Sequence, residues 1–519
     1  MKAGRWLSFA VLVLSVVAAS SLASAVDVWG SDGRPPGMFF VTDYGAVGDG
    51  STDDSGAFQK AIDAAALTGG TVFVPPVLGE KGYVLGQTVV VKEGISLVGS
   101  LAGFSTNAWR AYQEPEQVKG AKILARTDAK EPLFVLTGSN TVRGFWILYD
   151  QQPWPTDKEL QDKYGYKSFA DAKKGFMSHV TACGPTFYVT MGESTCIEDI
   201  RADRYYDFFY LKAGARCSVN RIILYGYKRA FVIEQGYDVN RLSNIELVPL
   251  SPFGFVCFRD EVVNGRPTGK CLDLRPYTWI YGIIVSQEDN VGLQIGRSDG
   301  YTLTNLFFDA VHTGIRLGAS EAWPIYEPVE GKELYPSAGG LGPWGEMSNI
   351  GIDGCNVGLQ FVWPGGMATH ISNLIIYPQF DDGKDFTART GTGNLVGVSR
   401  HAAMIFEDTY RKENNYNQIP AALISNAEIA SNWPENRNIA GVGASMCTAN
   451  GRVFLVAGDA VIEIAGLSLS LDVGPSACRN VDSKSLLIAV ADGAGVVSVR
   501  VRGYVLNGMP EDDWTWTRK

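Results

Sequence analysis

Short stretches in which apolar and polar residues alternate recur along most of the chain. Examples are Arg143-Gly-Phe-Trp-Ile-Leu, Glu198-Asp-Ile-Arg-Ala-Asp, Asn220-Arg-Ile-Ile-Leu-Tyr, Ser243-Asn-Ile-Glu-Leu-Val, Tyr281-Gly-Ile-Ile-Val-Ser, Thr304-Asn-Leu-Phe-Phe-Asp, Ser348-Asn-Ile-Gly-Ile-Asp and Ser372-Asn-Leu-Ile-Ile-Tyr. Alternation of this kind predicts strands with one face inside and one outside. Their third residues are regularly spaced: Ile200 to Ile222 is 22, Ile222 to Ile245 is 23, Ile283 to Leu306 is 23 and Ile350 to Leu374 is 24. A second apolar stretch follows about eight residues later in each unit, as in Phe209-Tyr-Leu, Phe231-Val-Ile, Gly292-Leu-Gln-Ile, Gly314-Ile-Arg-Leu and Gly358-Leu-Gln-Phe. A period of this length with two strands per repeat predicts the coils of an all-β parallel β-helix, in which equivalent residues of successive coils stack into rows.

Stacking turns each strand position into a column. The outward column in the middle of the first strand is expected to read Trp146, Arg201, Ile223, Glu246, Ile284, Phe307, Gly351, Ile375, with Glu246 its one acid. Two residues on, the column reads Leu148, Asp203, Tyr225, Val248, Ser286, Asp309, Asp353, Tyr377. Glycosidic cleavage by two carboxyls needs one protonated and one ionised group. A carboxyl between Ile223 and Ile284 would have its acid form favoured, so Glu246 is the expected general acid, with Asp203 as its first partner and Asp309 and Asp150 as the others. Asp309 and Asp353, one coil apart, form the alternative pair. Arg201, Trp146, Tyr225, His312 and Trp154 are the expected substrate contacts. Each acid also has a plain reading as a turn residue that accepts backbone hydrogen bonds. Asp207 on Arg229 and Lys212 on Glu234 are expected to be structural pairs.

The regular pattern is preceded by Phe39-Phe-Val-Thr-Asp-Tyr-Gly-Ala-Val-Gly-Asp-Gly-Ser-Thr-Asp-Asp-Ser-Gly-Ala-Phe-Gln-Lys-Ala-Ile-Asp-Ala-Ala and by Gly69-Gly-Thr-Val-Phe-Val-Pro-Pro. Ala57, Ala61, Ile62 and Ala65 fall on one helical face, Thr52 to Asp54 offer N-cap oxygens, and Gly69 and Gly70 end the helix. These 60 or so residues resemble the N-terminal signature of the pectate-lyase-like superfamily, which includes rhamnogalacturonases, polygalacturonases and phage tailspikes. The resemblance implies that the β-helix is right-handed, that this helix caps its open end, and that the ligand is a glycan. It does not specify the sugar, because the superfamily shares the signature across unrelated glycans. The polygalacturonase set of Asn-Thr-Asp, a coil Asp-Asp, Gly-His-Gly and Arg-Ile-Lys is not found, nor is the calcium-binding Asp cluster of pectate lyases. Pectin is therefore not singled out as the substrate; on the carboxylate columns the expected activity is glycoside hydrolysis, with a polysaccharide lyase acting on a uronate glycan, or a non-catalytic glycan-binding or tailspike-like protein, as the alternatives.

Insertions near 153 to 192, 259 to 277, 321 to 343 and 379 to 419 interrupt the period, the first three expected to leave from the same part of the coil and to build walls along one edge. They carry many aromatic residues, suited to the apolar face of a sugar or to anchoring the loops. Residues 26 to 440 are read as one β-helix domain and 441 to 519 as last coils and a C-terminal cap. Lys2 and Arg5, an apolar run from Trp6 to about Ala19, and Ala23-Ser-Ala25 read as a signal peptide over residues 1 to 25, so export is expected. A net charge of −10 without a Lys/Arg cluster argues against a nucleic-acid partner, and no span long enough for the bilayer follows the signal peptide. No metal or cofactor is expected, the oligomeric state stays open, and a polysaccharide or oligosaccharide is the expected partner. Eight cysteines permit disulfides: Cys257 with Cys271 is the first pairing, Cys447 with Cys478 the second, Cys183, Cys196 and Cys217 compete, and Cys355 is as readily a buried thiol.

Overall fold

The computed structural model describes residues 36–518 apart from 78–80, 101–119, 191, 248–254, 265, 319–342, 363–367, 379–401, 407–420, 432–451, 457–459, 472–487, 491–496 and 507–508. The chain winds into a right-handed parallel β-helix. Each coil contributes one long bent strand and one short strand, and equivalent strands of successive coils pair in parallel. The long strands include Thr141–Leu148, Cys196–Tyr205, Ser218–Gly226, Asn240–Leu247, the second half of Val291–Asp309, Trp344–Cys355, Thr369–Pro378, Ala421–Ser431, Ala460–Leu471 and Val497–Leu506. The short ones include Phe209–Leu211, Phe231–Tyr237, Thr313–Leu317, Val357–Phe361 and Ala402–Phe406. The last strand, Trp514–Arg518, turns back antiparallel on Val497–Val501.

The interior rows are aliphatic. Ile200, Ile222, Ile245, Leu306, Ile350 and Leu374 stack rung upon rung and are all buried. Burial of such rows supplies most of the driving force, at roughly 25 cal/mol per Å² of apolar surface. Sequence periodicity misplaces one member of this row. Thr278–Val285 is a helix, not a strand, and Leu306 follows Ile245 directly. A short, wholly apolar run does not distinguish a strand from a buried helix by pattern alone. Here Ile280, Ile283 and Ile284 bury themselves against Trp154, Leu160 and Phe176 of the first insertion.

The long strands bend where a side chain occupies the left-handed region. Asn244, Asn305, Asn349, Asn373 and Asn426 have φ of 55°, 56°, 55°, 55° and 56°, a conformation asparagine tolerates better than other side chains. Their amides bond from coil to coil: Asn305 to Asn244 at 3.0 Å, Asn349 to Asn305 at 3.0 Å, Asn373 to Asn349 at 2.9 Å and Asn426 to Asn373 at 3.3 Å. The Ser-Asn-aliphatic repeat in the sequence is this ladder. In the N-terminal coils the same corner is held by an ion pair, Arg221 Nε to Asp199 at 2.6 Å, with both residues at positive φ.

The helix Ser55–Thr68 buries Ala57, Phe58, Ala61, Ile62 and Ala65 beside the first strands. Asp54 stands at its N-cap position without capping it. Its carboxylate accepts instead from the Val47 and Gly48 amides at 2.6 and 3.1 Å, and Asp53 accepts from the Ser55 amide at 3.0 Å. The first insertion forms two short helices, Asp157–Asp162 and Phe169–Gly175, the former closed by a capping box between Thr156 and Glu159. The second is a hairpin, Phe255–Val263 with Arg266–Pro276, followed by the helix Thr278–Val285.

The insertions do not share one edge. The first, the second and the one after Pro378 leave from the end of a long strand, whereas the one after Leu317 leaves from the end of a short strand. The last of the expected loops is also interrupted, by the strand Ala402–Phe406. In the hairpin the backbone of Cys257 pairs with that of Leu274, and the backbone of Cys271 with that of Asp260. Cys183, Cys196 and Cys355 are free thiols, Cys217 is buried, and Cys447 and Cys478 lie outside the described residues, as do residues 1 to 25. Among the described residues no helix is long and apolar enough to cross a membrane.

Candidate functional site

The outward columns come together where the long strand ends and the chain turns toward the short strand. Asp309 pairs in register with Asp353, and Asp353 with Tyr377. Two residues earlier on the same face run Glu246, Phe307, Gly351, Ile375 and Glu428. Side chains two apart on a strand share a face, and the residues between them, Leu306 with Phe308 and Ile350 with Ile352, fill the interior. Phe307 and Ile375 are the apolar members of this surface, 42% and 39% exposed. Gly351 between them leaves a notch, since a Cβ there would sit 2.8 Å from the Phe307 ring.

Burial, with Asp353 beside it on the next coil, pushes the Asp309 carboxyl up to about 8. Two carboxyls so close cannot both ionise cheaply, and desolvation adds to the cost. Tyr377 donates its hydroxyl to Glu428 at 3.2 Å, and burial with the neighbouring Glu428 raises its phenol. Behind the pair Tyr225 is buried, with its hydroxyl well above the ordinary tyrosine range because of burial, Tyr281 and Asp309. Trp154 and Tyr281 pack on it at ring distances of 4.9 and 5.7 Å.

Several expected site residues are elsewhere or otherwise engaged. Trp154 and Tyr225, expected to contact substrate, form the packed base of the first insertion and anchor it to the coils. Asp203 accepts from Trp146 Nε1 at 2.7 Å and from Arg201 Nε at 2.8 Å, and both charged side chains are buried. Trp146 in turn carries Lys122 at 4.6 Å and Arg201 at 5.6 Å from its ring. Asp150 is held by Arg126 at 2.7 Å, and the same guanidinium reaches the Gly50 carbonyl at 3.1 Å, tying the coil to the N-terminal turn. His312 is buried, with Nδ1 3.0 Å from Thr313 Oγ1.

Glu246 does join the surface, but in a different setting from the expected one. Its neighbours are Ile223 and Phe307, not Ile284, and it is exposed. The apolar neighbour expected on its far side is missing, because the run carrying Ile284 is folded into the helix Thr278–Val285. The expected pair Asp207 and Arg229 is present, at 2.9 Å. Glu428 was not anticipated. Its signal is Ser425-Asn426-Ala427, the same corner motif continued past the irregular stretch. Among the described residues there is no group of three or more His, Cys, Asp or Glu able to hold a metal ion.

Residues 38–131 match the family described as rhamnogalacturonase A/epimerase, pectate lyase-like. Among curated relatives, mannuronan C5-epimerase AlgE3 of Azotobacter vinelandii is 44% identical over 75 residues, 13% of this chain and 4% of that protein. The tail spike protein of Shigella phage Sf6 is 38% identical over 61 residues, 11% and 10% of the two chains. Exo-poly-alpha-D-galacturonosidase of Dickeya chrysanthemi is 30% identical over 134 residues, 25% and 22% of the two. The matched segments thus span under a quarter of these relatives. A hyperthermoactive exopolygalacturonase from Thermotoga maritima is a structural neighbour at 11% identity and a TM-score of 0.41, over 93% of this chain and 95% of that one.

Proposed function

We propose that this protein, a parallel β-helix of the pectate-lyase-like superfamily, is a polysaccharide-acting glycoside hydrolase whose acid and nucleophile are Asp309 and Asp353. The observation that carries the reading is the pair itself: two carboxyls on adjacent coils, one pushed up to about 8 and so protonated at neutral pH. Asp309 gives its proton to the leaving glycosidic oxygen while an ionised Asp353 oxygen attacks the anomeric carbon as the old C–O bond breaks. Water then attacks the glycosyl-Asp353 ester, the Asp309 carboxylate takes its proton, and both groups return to their starting state. Neighbouring rungs lie about 4.8 Å apart, closer to the carboxyl separation of roughly 5–5.5 Å used for retention than to the 6.5–9.5 Å that leaves room for water in inversion.

Phe307 offers a platform for the apolar face of the sugar ring. Gly351 admits the ring beside it, and Glu246 and Glu428 flank the column as acceptors for sugar hydroxyls. The similarity to an exo-poly-alpha-D-galacturonosidase, together with the export expected of residues 1 to 25, fits an enzyme working on extracellular glycan.

A panel of polysaccharides incubated with the wild type and with Asp309→Asn and Asp353→Asn tests the assignment. New reducing ends with the wild type, lost in both variants, are expected. Unsaturated uronate products would replace the hydrolase with a lyase, and undiminished turnover in either variant would remove the pair from the chemistry.

A further inference from the structure

On the other side of the asparagine corner the same coils carry a second groove, with a cavity of about 400 Å³. That is within the range of roughly 300–1,000 Å³ typical of ligand sites. Its first row, one residue per coil, is Thr302, Glu346, His370, Leu423, Glu463 and Arg500. Its second row contains Ser348, Ser372, Ser425 and, at the end, Arg502. Six rungs at about 4.8 Å give a strip on the order of 24 Å long, running parallel to the solenoid axis.

We propose that this groove is a second, non-catalytic binding site for a neutral polysaccharide. The glutamates Glu346 and Glu463 balance the arginines Arg500 and Arg502, and Arg500 lies 3.5 Å from Glu463. The strip therefore has no net field to select a polyanion. Planar carboxylates and guanidiniums can each engage two neighbouring hydroxyls at once, the serine hydroxyls give or accept single bonds, and Leu423 supplies apolar contact for a C–H face. A repeat of polar groups every coil suits a ligand that itself repeats, which is what a glycan chain presents. The asparagine ladder separates this strip from Asp309 and Asp353, so binding here does not depend on the catalytic reading.

Affinity electrophoresis in gels containing dextran, starch, laminarin or galactomannan, with polygalacturonate as the anionic control, tests the proposal. At least one neutral polymer should retard both the wild type and Asp309→Asn. The double variant Glu346→Ala, Arg502→Ala keeps the net charge, and Ser372→Trp fills the floor. Each should weaken that retardation about tenfold, with the melting temperature unchanged. The proposal is overturned if no neutral polymer retards the protein, if polygalacturonate is preferred, or if both groove variants migrate like the wild type. Loss of retardation in Asp309→Asn alone, with the groove variants unaffected, would also overturn it and assign binding to the catalytic face.

Discussion

Asp203 and Asp309 occupy the same column of the same solenoid, yet they are different chemical objects. In the N-terminal coils Asp203 has Trp146 on the preceding rung and Arg201 two residues back, and both donate to its carboxylate. In the middle coils Asp309 has another acid, Asp353, on the next rung, and Tyr225 behind it. Asp203 is buried and Asp309 half-buried, but a compensated carboxylate is a structural tie, and a carboxyl facing a second carboxyl keeps its proton. The identity of one neighbour decides between the two, and in a β-helix that neighbour is a coil away in sequence.

The sharpest way to break this contrast is to neutralise each acid in turn. Asp309→Asn should lower turnover about 10²- to 10⁴-fold without lowering the melting temperature at neutral pH, measured on the polysaccharide that the panel identifies. Asp203→Asn should act through stability, since it leaves the buried Arg201 without its counter-charge. A loss of about 3–5 kcal/mol by denaturant unfolding is expected, and a variant as stable as the wild type would refute the structural role of that pair.

The pH dependence sharpens the difference. Asp309 has a folded pKa raised from 3.8 to about 8, so the stability it contributes is present below about pH 4 and is lost progressively as the pH rises toward 8. The melting temperature of the wild type relative to Asp309→Asn should therefore decline across that window and then level off, and turnover should fall above about pH 8 as the acid deprotonates. A difference that stays constant between pH 4 and 8 would show that the pair does not share a proton.

Smaller effects are expected on the sugar-facing column. Phe307→Ala should raise KM about tenfold through loss of the stacking surface, worth about 1–1.5 kcal/mol, with kcat reduced less. Glu246→Gln should change turnover less than tenfold, as befits an exposed hydroxyl acceptor. A loss of 100-fold or more in Glu246→Gln would restore it as the general acid.

Much of this molecule is legible in one dimension. The alternation in Asn220-Arg-Ile-Ile-Leu-Tyr and Ser348-Asn-Ile-Gly-Ile-Asp, repeated at 22 to 24 residues, determines the coil, its inward row and the outward columns, because a strand can bury only every second side chain and a solenoid must repeat to cover its open faces. The asparagine at each corner is equally local, since the left-handed backbone there suits that side chain. Even the adjacency of Asp309 and Asp353 could be counted from the period. What only the tertiary structure decided is which acid sits in an environment fit for chemistry. Ile284 belongs to a helix that covers the coils instead of a strand that continues them, so Glu246 gained Phe307 as its neighbour and stayed in water. Trp154 and Tyr281 arrived from separate insertions to close over Tyr225 behind Asp309. Desolvation depends on everything that packs around a group, and those atoms come from segments whose spacing along the chain follows no period.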